Sequence, residues 1–422
     1  MNNFDRKDIE VKLGRIGDLQ ILSILPAILF ILAFFIESPK NLLFGLYEII
    51  VSPDVLLVDY LRIGGVGSTF LNSSILAFVN IYIIYKSKLK INGALIAAIY
   101  AIMGFAFLGK NIFNVWPMYI GGYLYVKYQG IEFKNILVII MFSTSLAPLV
   151  SDIAFGLGVP TLISMPLGVL FGIFCGFIMT PLSSHMTRVH DGYNLYNIGF
   201  TAGLLGTLIT SLLRSFGFNF EQQEILSTEY DLFLRIFLII FFLIFILIGF
   251  IVNKNSFRGY SDILKHSGRL VTDFTHIVGY GLTFINMGIM GLISTFYVII
   301  LRGDFNGPIL GGIFTIFGFS AFGKHPKNAV PIMIGVFIAS IMNIWDINST
   351  TVLIAGLFGT TLAPVAGKFG IVAGIAAGFL HLALVKNVGY LHGGINLYNN
   401  GFSGGILAAV LVPLMEAFKR GD

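Results

Sequence analysis

Two stretches 214 residues apart carry the same ordered set of glycine, lysine, asparagine and proline: MGFAFLGKNIFNVWPMYIG at 103–121 and FGFSAFGKHPKNAVPIMIG at 317–335. They share Gly104/Gly318, Phe105/Phe319, Gly109/Gly323, Lys110/Lys324, Asn114/Asn328, Pro117/Pro331 and Gly121/Gly335. The same spacing pairs Gly67, Thr69, Phe70 and Asn72 with Gly281, Thr283, Phe284 and Asn286. It also pairs Asp59 with Asp273, and Asn92-Gly93 with Asn306-Gly307. Further along, Leu146-Ala147-Pro148 matches Leu362-Ala363-Pro364 at 216, and HDGYNLYNIGFTAG (190–203) matches HGGINLYNNGFSGG (392–405) at 202. The first half therefore carries 14 additional residues after its Leu-Ala-Pro, around GLGVPTLISMP. Leu, Ile and Phe align by chance in any apolar chain, but Gly, Pro, Asn, His, Tyr and Lys in order do not. The fold must be built from two copies of one unit.

Composition says where that unit lives. Hydrophobic residues make up 56% of the 422 and charged residues 11%, with a mean hydropathy of +0.88. A water-facing surface needs roughly 25% charged residues, so a soluble enzyme, a nucleic-acid binder and a disordered scaffold are excluded. The excess of 26 Lys+Arg over 21 Asp+Glu reads as cytoplasmic loops of a membrane protein. The single cysteine, Cys175, rules out a disulfide framework and a multi-thiolate metal site. The polar segment MNNFDRKDIEVKLGRIGD leads into an apolar run over 19–36 without an Ala-x-Ala cleavage site. A retained first span fits better than a signal peptide, and the expected location is a cell membrane of the bacterial cytoplasmic type.

Charge bias predicts how the copies are oriented. Arg6, Lys7, Lys12 and Arg15 mark loop 1–18 as cytoplasmic, whereas its counterpart 214–230 has Arg214 beside Glu221, Glu224 and Glu229. Loop 38–66 carries Glu48, Asp54 and Asp59, but its counterpart 254–276 carries Lys254, Arg258, Lys265 and Arg269. Lys86, Lys88 and Lys90 face Arg302 and Asp304 in the matching linker. Each bias flips, which predicts inverted topology and an odd number of crossings per half. The predicted organisation is a first membrane repeat (1–213), an external linker (214–230) and a second repeat (231–422), both termini cytoplasmic. The fold class is an all-α membrane protein with broken or re-entrant helices and about 10–14 transmembrane helices. Seven crossings per half, or five plus two re-entrant pieces, both satisfy the parity. Segments 39–60 and 254–274 are expected to lie along the interface as amphipathic helices.

Gly168, Gly172 and Gly176, and Gly370, Gly374 and Gly378, fall every fourth residue and read as close helix packing. The Gly-Lys-x-x-x-Asn-x-x-Pro element differs, because it marks a broken helix. At membrane depth a break is tolerated only where protein or water satisfies the freed backbone. A half-helix N-terminus there presents N–H groups, and Lys110 and Lys324, with Asn114 and Asn328, stand beside it as candidate solute-binding residues. Asn92 and Asn306 read as helix caps. The two Asn-Leu-Tyr-Asn elements offer Asn194, Tyr196 and Asn197, and Asn396, Tyr398 and Asn399, as polar lining or as a hinge between the halves. His190 and His392 are expected at the interface. Asp152 and Lys368 occupy matching positions and are expected to meet near the axis, as a functional or structural ion pair. Nothing has metal-ligand spacing, and no cofactor motif occurs.

These features resemble a family of bacterial integral membrane proteins catalogued as a domain of unknown function, over nearly the whole chain. More distantly, GVGSTFLN, the Asn92-Gly93 and Asn306-Gly307 steps, and Pro160-Thr-Leu-Ile-Ser-Met-Pro166 are similar to motifs of urea transporters, which also contain inverted repeats. The second half lacks a counterpart of the proline element. The resemblance implies a related fold and, as an alternative function, a passive urea-like channel. The residues themselves point to a transporter of a small polar or anionic solute between the repeats, embedded in the lipid bilayer, and not to an enzyme or a nucleic-acid partner. A membrane subunit scaffolding a partner complex is the competing class, and a homo-oligomer stays open.

Overall fold

A computed structural model describes residues 15–54, 57–219, 224–342 and 344–418. Arg6, Lys7, Lys12, Glu221 and the two chain ends, on which the orientation argument partly leans, lie outside the described residues. Ten described helices are long and apolar enough to cross a membrane, and they divide five and five. The first half holds Leu19–Ile36, Gly65–Lys86, Leu137–Gly156, Thr161–Val189 and Asn197–Ser215. The second holds Asp231–Val252, Tyr280–Ile300, Thr350–Phe369, Ile371–Val388 and Asn399–Ala417. This is a multi-pass membrane architecture. Helix Asp231–Val252 shows why: Leu234, Leu238, Phe241, Phe242 and Phe245 are buried, while Leu232, Ile236, Ile240, Leu243, Leu247 and Ile251 are exposed. An outward apolar stripe of that length is stable against acyl chains and not against water.

Between the second and third long helices of each half lie two shorter ones, Gly93–Phe105 and Trp116–Gln129, then Gly307–Phe319 and Pro326–Met342. A helix of 13 residues spans about 20 Å against the roughly 30 Å of hydrocarbon. Of the two counts the sequence allows, five crossings plus two shorter pieces per half is the one these lengths match. Each of the first short helices starts at the predicted cap: the Asn92 side-chain oxygen accepts from the Leu95 amide (2.9 Å) and that of Asn306 from Ile309 (3.1 Å). These two helices are the centre of the molecule, buried along nearly their whole length. They pack on each other in reverse order: Gly93 lies against Ala321, the Tyr100 ring meets Phe317 edge to face, and Gly104 lies against Gly311. The repeat-related helices therefore run antiparallel. Asn197–Ser215 and Asn399–Ala417 meet through their N-terminal turns, with Gly199 against Gly401, Gly203 against Phe402 and Gly405 against Phe200.

Five of the six stripe glycines pack as read; Gly370 instead stands at φ +91° with open space beside it, ahead of Ile371–Val388. A Cβ on Gly176 would fall 2.2 Å from the Met118 carbonyl oxygen, and one on Gly378 would fall 2.1 Å from that of Ile332. Of the two segments expected as amphipathic helices, one needs correction. The first-half segment forms a helix, Pro39–Val51, with Leu43, Phe44 and Tyr47 exposed. The second, 254–274, holds a single turn, Tyr260–Ile263, before the turn that begins at Phe274; Gly259 and Gly268 at positive φ break it. The additional residues of the first half become the loop before, and the exposed first turns of, Thr161–Val189, which is 29 residues long against 18 for Ile371–Val388.

Because the Gly378 contact is with backbone, which cannot rotate away, Gly378→Val is expected to lower stability by at least about 1–3 kcal/mol. The check is the melting temperature of the protein in detergent, with lipid-facing Leu247→Ala as the neutral comparison.

Candidate functional site

The two breaks between short helices set the site. Each first short helix ends in a turn whose lysine amide returns to the last helical carbonyl: Lys110 to Phe105 and Lys324 to Phe319, both at 3.1 Å. Gly109 and Gly323 make that return at φ +75° and +100°, where a side chain would be strained. The freed carbonyls are taken up by the preceding long helix. The Asn72 side-chain amide donates to the carbonyls of Ala106 and Lys110 (both 2.9 Å), and that of Asn286 donates to Ser320 (2.7 Å) and Lys324 (2.8 Å). The freed amides are also spent. Ile112 donates to the Asn72 side chain, Phe113 and Asn114 donate to Asn111, Asn111 donates to Asn114, and His325 donates to Asn328. The half-helix amides expected to greet a solute are thus capped by asparagines. Asn328 is bound to Gly323 and Ser267 carbonyls and is structural; Asn114 reaches a different cluster, taken up below.

The lysines point inward and across the halves. Lys110 Nζ donates to the Tyr398 hydroxyl at 2.7 Å and lies over the Tyr398 and Phe105 rings. Lys324 Nζ donates to the Tyr196 hydroxyl and to Thr360 Oγ1 (2.7 Å), over the Tyr196 and Phe319 rings. Both are fully buried, and among the described residues neither has a carboxylate partner. Each lysine of one half is therefore tied to the tyrosine of the other.

Inside these two ties is a cavity of about 140 Å³ lined by matching pairs: Phe105/Phe319, Phe142/Phe358 and Tyr196/Tyr398. The lysines stand behind its tyrosines and not on its wall. Phe105 and Phe319 stood out only as a repeat match, and Phe142 and Phe358 not at all, because 41 phenylalanines are scattered along the chain. A larger crevice of about 520 Å³ lies against the first span, lined by Leu19, Ser23, Phe78 and Tyr82, and holds none of the repeated polar residues.

The other candidates divide. Asn197 lines the cavity, but its side chain is engaged with His190 Nε2 (2.9 Å) and the Ser183 carbonyl. Asn399 holds His392 in the same way. Both histidines are buried, and the asparagine seven residues on turns back to meet each ring. Asn194 donates to the Gly401 carbonyl (2.9 Å) and Asn396 to that of Gly199 (3.1 Å), so these two bolt the halves together. Asp152 and Lys368 do not meet. Asp152 is buried beside Asp54, while Lys368 is exposed in the last turn of its helix.

Residues 38–215 and 252–417 match the model of the family described as Protein of unknown function (DUF1576), and the chain belongs to that family. No curated protein and no solved structure matches it, so the likeness to urea transporters rests on the motifs alone.

The Lys110–Tyr398 tie is a hydrogen bond buried between the halves. Tyr398→Phe is expected to cost about 1–3 kcal/mol by leaving the lysine short of a partner. Adding Lys110→Met to Tyr398→Phe is expected to cost less than the two single changes together. A double-mutant cycle on melting temperature reads the coupling.

Proposed function

We propose that the protein is a transporter of the cell membrane, with two inverted-topology repeats and cytoplasmic termini, that moves a small polar or anionic solute through the cavity between the repeats. Two observations support the inverted arrangement: the flipped charge bias and the antiparallel packing of Gly93–Phe105 on Gly307–Phe319. Inverted repeats with broken helices meeting at mid-membrane are a recurrent transporter plan.

The observation that carries the reading is the paired cavity with its two carboxylate-free lysines. Burying an ammonium without a counter-charge costs several kcal/mol, and an anion entering the cavity supplies one. Its volume of about 140 Å³ is close to a cavity that takes benzene, so a solute of roughly six heavy atoms fits. Aromatic faces carry negative potential; they pack against an apolar body and leave the charged end to the tyrosine hydroxyls, behind which the lysines stand. A short-chain carboxylate has that shape. Transfer from the Lys110–Tyr398 end to the Lys324–Tyr196 end, with one tie opening while the other holds, is an alternating-access cycle in which the two states are related by the pseudo-symmetry.

In proteoliposomes the purified protein is expected to take up a short-chain carboxylate, and Lys324→Met or Lys110→Met is expected to reduce the rate at least about tenfold, the loss of one charge-assisted contact. Uptake of urea in place of anions, unaffected by both changes, would favour the passive channel. No uptake of any solute, with a second polypeptide co-purifying, would favour the scaffolding subunit.

A further inference from the structure

The two halves differ most sharply beside the first break. Asp54, in the loop after Pro39–Val51, is fully buried. Its carboxylate accepts from the Tyr60 hydroxyl (2.7 Å) and from the side-chain amides of Asn111 (3.1 Å) and Asn114 (2.9 Å). The Asn114 amide also donates to Ser151 Oγ at 3.0 Å, which brings in the next residue, Asp152. Asp152 is 1% exposed, and neither of its oxygens makes a hydrogen bond. It begins a π-helical turn, Asp152–Gly156, a distortion that often marks a functional position, and the backbone and carboxylate of Asp54 lie alongside it. No lysine, arginine or histidine pairs with either acid among the described residues.

We propose that Asp54 and Asp152 form a binding site for one monovalent cation, a proton or Na⁺, with Ser151, Asn111 and Asn114 holding the two carboxylates in place. Two adjacent buried carboxylates cannot both stay ionised without a positive charge between them. Oxygen donors of this kind suit a hard cation. Three donors fix the Asp54 carboxylate in place, and the Asp152 oxygens lie beside it without a side-chain donor.

The second half shows what the site looks like when it is given up. Repeat spacing places Gly268, Phe274, His325, Asn328, Gly367 and Lys368 opposite Asp54, Tyr60, Asn111, Asn114, Ser151 and Asp152. The space for an acid is closed: a Cβ on Gly268, which stands at φ +81°, would fall 2.1 Å from the Gly323 carbonyl oxygen and 2.6 Å from the Asn328 amide nitrogen. Both carboxylates, the tyrosine hydroxyl and the serine are gone, and the His325 ring reaches the His266 carbonyl. The acids are kept in one copy. The coupling role of this cation rests on the transport reading above; its binding does not.

Burial pushes Asp54, which lies outside the long spans, up to about 7 despite its hydrogen bonds. An acid raised in this way binds its proton more tightly folded than unfolded. Stability is then lost as pH climbs from about 4 to about 7 and is low above that window. Tyr60 and Asp152 are the titratable groups facing it.

The test is the melting temperature of the full chain in detergent across that pH range, in choline buffer and with Na⁺ replacing choline at constant ionic strength. A saturable rise of a few degrees with Na⁺ at the alkaline end, absent from Asp152→Asn and Asp54→Asn, identifies Na⁺ as the occupant. A falling profile insensitive to Na⁺ and flattened by either variant identifies the proton. If neither variant folds, the wild-type infrared spectrum decides, through a protonated-carboxyl band at neutral pH or its removal by Na⁺. A wild-type profile superimposable on that of Asp152→Asn without a Na⁺ effect, or, where neither variant folds, no such band and no Na⁺ effect, overturns the site. Because binding is read without any solute, its failure is distinct from a failure to transport.

Discussion

A helix interrupted inside a membrane exposes backbone groups that lipid cannot satisfy, and each would cost several kcal/mol if left bare. The whole arrangement depends on how this chain meets that cost. Asn72 and Asn286 each give two amide protons to the carbonyls freed at the break, and a second asparagine in each break caps the amides of the half-helix that follows. With the backbone closed on itself, the lysine in each turn has no local work and extends to the other half. The polar centre of the molecule is therefore a consequence of the breaks.

That extension makes the two halves mutually dependent. Lys110 needs Tyr398 and Lys324 needs Tyr196. Asp273 accepts from the Gly93 amide, and Asp59 does the same for Gly307; Asn194 and Asn396 reach carbonyls across the junction. Every one of these bonds crosses from one copy to the other and has its mirror. Neither copy can complete its own centre, so the 140 Å³ cavity belongs to the pair.

The repeat was legible because its landmarks are backbone-constrained. Gly109 and Gly323 hold positive φ, Asn72 and Asn286 hold the breaks, and Asn92 and Asn306 start helices; none tolerates substitution by whatever happens to be apolar. Tyr196 and Tyr398 were legible as lining, but Phe142 and Phe358 were not, since a phenylalanine that lines a cavity is spelled the same as one that faces lipid. The Asp152–Lys368 pairing failed for a geometric reason: equivalent positions by spacing diverge because one begins a π-helical turn and the other ends a regular helix. Asp54 was counted only as loop charge, since its partners Asn111 and Asp152 are distant in sequence and meet it only once the chain is folded. Crossing number was ambiguous because a half-length apolar helix and a short span have the same composition; the helix ends decide it.

Symmetry and its violation divide the labour. On the transport reading, the matched rings of the cavity offer the same walls at either end: Phe105 mirrors Phe319, Phe142 mirrors Phe358 and Tyr196 mirrors Tyr398. The acid pair breaks that equivalence, because Asp54 and Asp152 stand next to the Lys110 break and, among the described residues, no such pair stands next to Lys324. On the transport reading, a cation at these carboxylates acts on one tie alone. It biases which end of the cavity opens, and a symmetric container becomes a directional one without any change to the residues that touch the solute.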